Sequence, residues 1–173
     1  MARVTGRFGR MILVVGALAV LVVPACSSGG KPAAEPSTSP PAEAQILGQY
    51  RKLWTETLPA ATAAEANARK KILAATLTEP ALSRALAGLA TLERNGQTQY
   101  GNDVPLRQSV RRTGKSAVVT GCLDSSGAGA VDRRTGRKVN KGPATNPVTV
   151  TFVQGSDGVW RASKTEFGNT ESC

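Results

Sequence analysis

The hydrophobic period of this chain changes once, at Asn95-Gly96, and that change limits the folds open to it more than any other feature. Ahead of it the period is helical. Ile46, Leu47, Tyr50, Leu53, Trp54, Thr57 and Leu58 recur at spacings of three and four, while Gln49, Arg51, Lys52 and Glu56 take the opposite face. Pro59 is expected to end or kink this helix. Residues 60–75 are rich in Ala, with high helix propensity, and Ile72 and Leu73, with Leu77 just beyond, are the large apolar groups. Thr78-Glu79-Pro80 reads as a fresh helix start, a capping Thr followed by Glu and Pro in the first turn. Leu82, Ala85, Leu86, Leu89 and Leu92 continue it as a third stripe, and Asn95-Gly96 stops it.

Beyond Gly96 the signals are those of strands and turns. Val104, Leu106, Gln108 and Val110 alternate, and Pro105 places that strand at an edge or on a bulge. Residues 116–124 form the strongest strand, β-branched through Val118, Val119 and Thr120. Val148, Val150 and Phe152 alternate with Thr149, Thr151 and Val153, and Gly155-Ser156-Asp157-Gly158 turns the chain back through Trp160. A short piece around Ala130, Val131 and Asp132 is expected to pair as well. Helices first and antiparallel strands second is an α+β order, with the helices covering one face of one sheet.

The amino terminus carries a different message. Arg3, Arg7 and Arg10 precede an apolar run over residues 11–25, with no acid among them. Fifteen residues at ~1.5 Å each reach about 22 Å, short of the ~30 Å hydrocarbon core, which argues against a membrane-spanning helix. A basic start, a short apolar run and a small-residue end form the pattern of a secretory signal. Val23-Pro24-Ala25-Cys26 resembles the lipobox of bacterial lipoproteins, with Pro24 in place of the more usual small residue. That resemblance implies cleavage before Cys26 and a diacylglyceryl thioether on it; an ordinary secretory leader cut near Ala25 is the competing reading. Residues 27–42 hold four prolines (Pro32, Pro36, Pro40 and Pro41) and little that could enter a core. They read as a tether that could extend about 50 Å. The expected organisation is therefore a leader over 1–25, a lipidated Cys and tether over 26–42, and one domain over 43–173. Removing the leader's arginines takes the net charge from +10 to +7.

Histidine is absent from the whole chain and cysteine occurs three times. This excludes Ser-His-Asp and Cys-His systems, imidazole-held zinc and four-thiolate metal sites. With Cys26 assigned to lipid, Cys122 and Cys173 remain as an even pair in an oxidising compartment, so a structural disulfide is expected. Closing about fifty residues should stabilise the fold by about 4 kcal/mol. Arg133, Arg134, Arg137, Lys138 and Lys141 put five cations into nine residues, with Arg111, Arg112 and Lys115 expected on a nearby turn. They are candidates for binding anionic headgroups or wall polymer, against the reading of a solvated loop. Nucleic acid is not an expected partner, since stacking aromatics are scarce there. Tyr50, Trp54, Phe152 and Trp160 could line a cavity between helices and sheet or simply fill the core. Asp103, Asp124, Asp132 and Glu166 show no spacing that pairs two carboxylates, and the Gly-rich residues 125–129 lack the Lys of a phosphate loop.

Three helices followed by a meander resemble the NTF2-like (cystatin-like) cone. Residues 50–173 are similar to small secreted actinobacterial lipoproteins expected to have that fold. The features concerned are Tyr50-xxx-Trp54, Thr78-Glu79-Pro80, residues 119–124, Asp132-xx-Thr135-Gly136, Gly158-Val159-Trp160 and Cys173. Such relatives often carry Asp where Gly121 stands here. Taken together, the expectation is a membrane-tethered extracytoplasmic lipoprotein, a non-catalytic binding or interaction module at the cell envelope, with no cofactor, metal or catalytic residue. Its partners would be the membrane, through lipid on Cys26, and an anionic envelope polymer or a protein. The alternative is an NTF2-like enzyme or a carrier of a small hydrophobic ligand in the cone. A buried Asp facing an open cavity would favour the enzyme, and a filled cone the interaction module.

Overall fold

A computed structural model describes residues 41–168 and Cys173; Cys26, the leader and most of the tether lie outside the described residues. The first helical stripe forms α1 (Ala42–Lys52) and passes directly into a π-helical turn, Leu53–Thr57, and then α2 (Leu58–Ala63). Pro59 therefore does not end the helix. It has no N–H to give the carbonyl of Thr55, and its ring crowds the preceding turn. The wider turn resolves this, with the Leu58 amide bonding back to the Leu53 carbonyl and Pro59 sitting in the first turn of α2.

The Ala-rich stretch does not run through as one helix either. Ala64 and Glu65 are extended, and α3 occupies Ala66–Leu73. Arg69 makes the break tolerable. It is 5% exposed, its Nε donates to the carbonyls of Ala61 and Ala64 at 3.2 and 3.1 Å, and its terminal nitrogen reaches Glu93 at 2.7 Å. The last helix, α4 (Ala81–Arg94), begins three residues beyond Thr78, because Pro80 is its N-cap. Glu79 supplies the capping acid, accepting from the Ser83 amide. Gly96 at φ 67° follows the end of α4 and bonds back to Glu93, as the sequence anticipates.

Six strands follow: β1 (Gln97–Tyr100), β2 (Val104–Thr113), β3 (Ser116–Asp124), β4 (Gly129–Asp132), β5 (Asn146–Gln154) and β6 (Trp160–Phe167). The order β2-β3-β5-β6 makes an antiparallel sheet, and β1 with β4 makes a separate ribbon. β2 is the edge strand that Pro105 implies, and it carries a bulge between Pro105 and Arg107 as well. A second irregularity between Thr151 and Phe152 adds to the bending of the sheet. On the concave face Val119, Leu123, Val148, Val150, Phe152 and Ala162 are buried against Ile46, Tyr50, Leu53, Leu73 and Leu77. The protein is an α+β fold in which helices pack on one face of a curved antiparallel sheet.

One expectation about spacing is corrected here. Arg111, Arg112 and Lys115 belong to the β2–β3 hairpin at the start of β3, whereas residues 140–143 return to Ser125 and Ala128 beyond its end. Nine residues of strand, roughly 30 Å, separate the two basic clusters.

Candidate functional site

The cone interior is mostly filled. Tyr50 and Phe152 are 0% exposed and Trp160 is 1% exposed, so these three are core residues rather than walls of an open chamber. Tyr50 packs edge-on to Trp54, ring centroids 6.2 Å apart. Its hydroxyl lies against Gly121: a Cβ there would come within 2.8 Å of the phenol oxygen and 2.6 Å of the Arg107 carbonyl. That contact explains why Gly stands at 121, where Asp would meet both backbone and ring. Among the described residues the Tyr50 hydroxyl has no well-formed hydrogen bond. Burial raises its pKa to about 12, with the Trp54 indole pulling weakly the other way. Because the folded value lies above the unfolded value of 10, this contribution to stability is complete below pH 10. It is lost as pH rises towards 12, and amounts to about 3 kcal/mol. Ultraviolet titration should show one tyrosinate forming near pH 12 or only on unfolding, and Tyr50→Phe should remove that step.

Among the described residues a cavity of about 260 Å³ lies between the π-helical turn, the start of α4 and the end of β6. Trp54, Leu58, Leu77, Ala85 and Phe167 line it, and Phe167 stands edge-on to Trp54 at 6.1 Å. The π-helical turn contributes Leu53 and Trp54 to this wall. Arg84 is the ionisable group among the lining residues. A guanidinium stays protonated in proteins, so it can hold an anion but cannot relay a proton.

The acids occupy structural positions. Asp132 Oδ1 accepts from the amides of Arg134 and Thr135 and from the Thr135 hydroxyl, which lowers its pKa. Asp124 accepts from the Ser126 amide, and Glu166 pairs with Lys164 at 2.8 Å. Asp157 is lowered to about 2, first by the Arg161 guanidinium and then by the Val159 amide. Asp103 borders a depression with Asn140 and Lys141. Among the described residues no cluster of three or more metal-ligating side chains occurs.

The basic loop is exposed throughout. Arg133 shares Glu93 with Arg69 at 3.6 Å, and Lys138 lies 4.4 Å above the Tyr100 ring. Arg137 and Lys141 lie near Asp132 and Asp124, whose pKa values they help to lower. The structure thus gives two of these cations, Arg133 and Lys138, a direct partner inside the fold. Cys122 and Cys173 form the expected disulfide, Cα atoms 5.9 Å apart, on the outer face of the sheet. The sequence reading did not single out Arg107, which lies on that face beside Cys122, because its neighbours in the sheet come from distant parts of the chain.

No family model matches the chain, and no curated protein sequence matches it. In structure it is similar to the intermembrane-space region of the chloroplast protein ARC6, at 17% identity and a TM-score of 0.51, over 73% of this chain and 92% of that one. It is also similar to ActVI-ORFA from Streptomyces coelicolor (14% identity, TM-score 0.48, 72% of this chain and 92% of that one). An NTF2-like protein with a cystatin-like fold from Novosphingobium aromaticivorans aligns at 15% identity and a TM-score of 0.42, over 75% of this chain and 85% of that one. The likeness to the ARC6 region, at 17% identity, shows a shared fold and no more.

Proposed function

We propose that the protein is a membrane-tethered extracytoplasmic lipoprotein whose NTF2-like domain is a non-catalytic interaction module of the cell envelope. The observation that carries this reading is the filled cone. Tyr50, Phe152 and Trp160 occupy the space where a substrate and its acid–base group would have to sit, and Asp124, Asp132, Asp157 and Glu166 are engaged in turns and surface pairs. Val23-Pro24-Ala25-Cys26 and the Pro-rich residues behind it support the tether. The +7 charge of the mature chain makes an anionic envelope polymer, or an acidic protein, the partner class that fits.

The test is intact mass of the protein extracted from membranes of its host. A chain beginning at Cys26 with a diacylglyceryl adduct is expected, and Cys26→Ser should remove the adduct. A chain beginning elsewhere, or unmodified protein in the medium, overturns the reading. A second reading, a carrier of a small apolar ligand, draws on the 260 Å³ cavity with Trp54 and Phe167 on its wall.

A further inference from the structure

Residues 104–123 contain four cations, Arg107, Arg111, Arg112 and Lys115, and no acid. Among the described residues none of the four forms an ion pair. The ion pairs found there are Arg69–Glu93, Arg133–Glu93, Arg161–Asp157 and Lys164–Glu166. The edge strand β2 and its hairpin therefore carry a second group of cations outside the ion pairs, in addition to Arg134, Arg137, Lys138 and Lys141 of the loop.

The register fixes what lies between these charges. Arg107 is opposite Cys122, Ser109 opposite Thr120 and Arg111 opposite Val118, so the three β2 residues share the face turned away from the helices. Thr120 is in turn opposite Thr149. The Ser109 and Thr120 hydroxyls are 2.8 Å apart, and a shallow depression of about 480 Å³ runs over Arg107, Ser109, Thr120 and Thr149. At the far edge of the sheet Lys164 is neutralised by Glu166, which leaves the positive end on the β2 side.

We propose that the outer face of β2, beside the Cys122–Cys173 disulfide, binds an extended polyol-phosphate polymer running along the strand, with Arg107 and Arg111 each holding a phosphodiester and the Ser109–Thr120 pair meeting the polyol between them. This rests on the reading of the chain as an envelope-facing module, and it names the ligand class and the surface. A guanidinium presents a fork matched to phosphate oxygens, and a Ser or Thr hydroxyl can both give and accept a hydrogen bond. The two arginines are four residues apart, roughly 13 Å along a strand, too far for one small anion to reach both. An extended chain carrying repeated charges can span them. A bilayer surface fits less well, because the hydroxyls lie in a depression rather than on a protrusion.

The experiment uses the full-length mature protein, lipidated and held in neutral phosphatidylcholine nanodiscs. It is titrated with poly(glycerol phosphate), uncharged polyglycerol, polyglutamate and, separately, phosphatidylglycerol vesicles. Binding to poly(glycerol phosphate) is expected, weakening as salt is raised and stronger than to the other three. Arg107→Gln with Arg111→Gln should weaken it at least about ten-fold. Changing Arg133, Arg134, Arg137, Lys138 and Lys141 to Gln should leave it within about two-fold. Circular dichroism of each variant should match the parent. No binding to the polymer, equal binding by the double variant, loss through the loop variant, or tighter binding to polyglutamate or vesicles each overturns the proposal. Lipid on Cys26 is read independently by mass, so failure here and failure of the tethering are told apart.

Discussion

Replacing Cys122 by serine is expected to lower the melting temperature by roughly 10–20 °C. The disulfide joins residues 51 apart in sequence, and in the chain-entropy model a loop of that length stabilises the fold by about 4 kcal/mol. Its place in the sheet makes the loss more than local. Cys122 lies on β3, flanked by Arg107 on β2 and Pro147 on β5, so the bond ties Cys173 to the middle of the sheet. Calorimetry with a parallel count of free thiols checks this. A shift below about 3 °C, with Cys173 confirmed as a free thiol, would show that the remaining contacts already hold that part of the chain.

Arg69→Met should cost about 3 kcal/mol, the next largest effect. Methionine fills most of the volume but leaves the carbonyls of Ala61 and Ala64 without their donor and Glu93 without its nearer partner. The Arg69 pairing, foremost among several interactions, holds the Glu93 carboxyl below its usual range. Urea denaturation measures the loss. Adding Glu93→Gln to Arg69→Met should cost less than the sum of the two single changes, since the pair is then removed together. An unchanged denaturation midpoint for Arg69→Met would mean that water replaces the guanidinium without penalty.

Arg69 also shows where a sequence reading stops. Nothing within a few residues of it marks a buried cation, because its partners lie five, eight and twenty-four positions away. The π-helical turn escaped for a related reason. Pro59 announces a conflict, but whether the chain ends, kinks or widens depends on whether Leu53, Trp54 and Leu58 have a core to enter. β1 was invisible because its four residues, Gln97–Tyr100, are half-buried without alternation and are ordered by pairing with β4. By contrast Pro105 could be placed at an edge or on a bulge directly, since a missing donor is intolerable in the middle of a regular sheet. The candidate site divides in the same way. Five cations in nine residues are conspicuous in one dimension, whereas Arg107, Ser109, Thr120 and Thr149 become neighbours only through strand register.

The sequence by itself determined that helices precede strands, the stop at Asn95-Gly96, the hairpin at 155–158 and the Cys122–Cys173 pairing. Each of these depends on short-range period, backbone chemistry or cysteine parity. Only the tertiary structure decided that Tyr50, Phe152 and Trp160 are buried, that Arg133 and Lys138 of the loop find partners, and that Arg107, Ser109 and Arg111 share the outer face of β2. Those outcomes depend on which distant residues come within a few ångströms, and packing of the helices on the sheet settles that together with strand register.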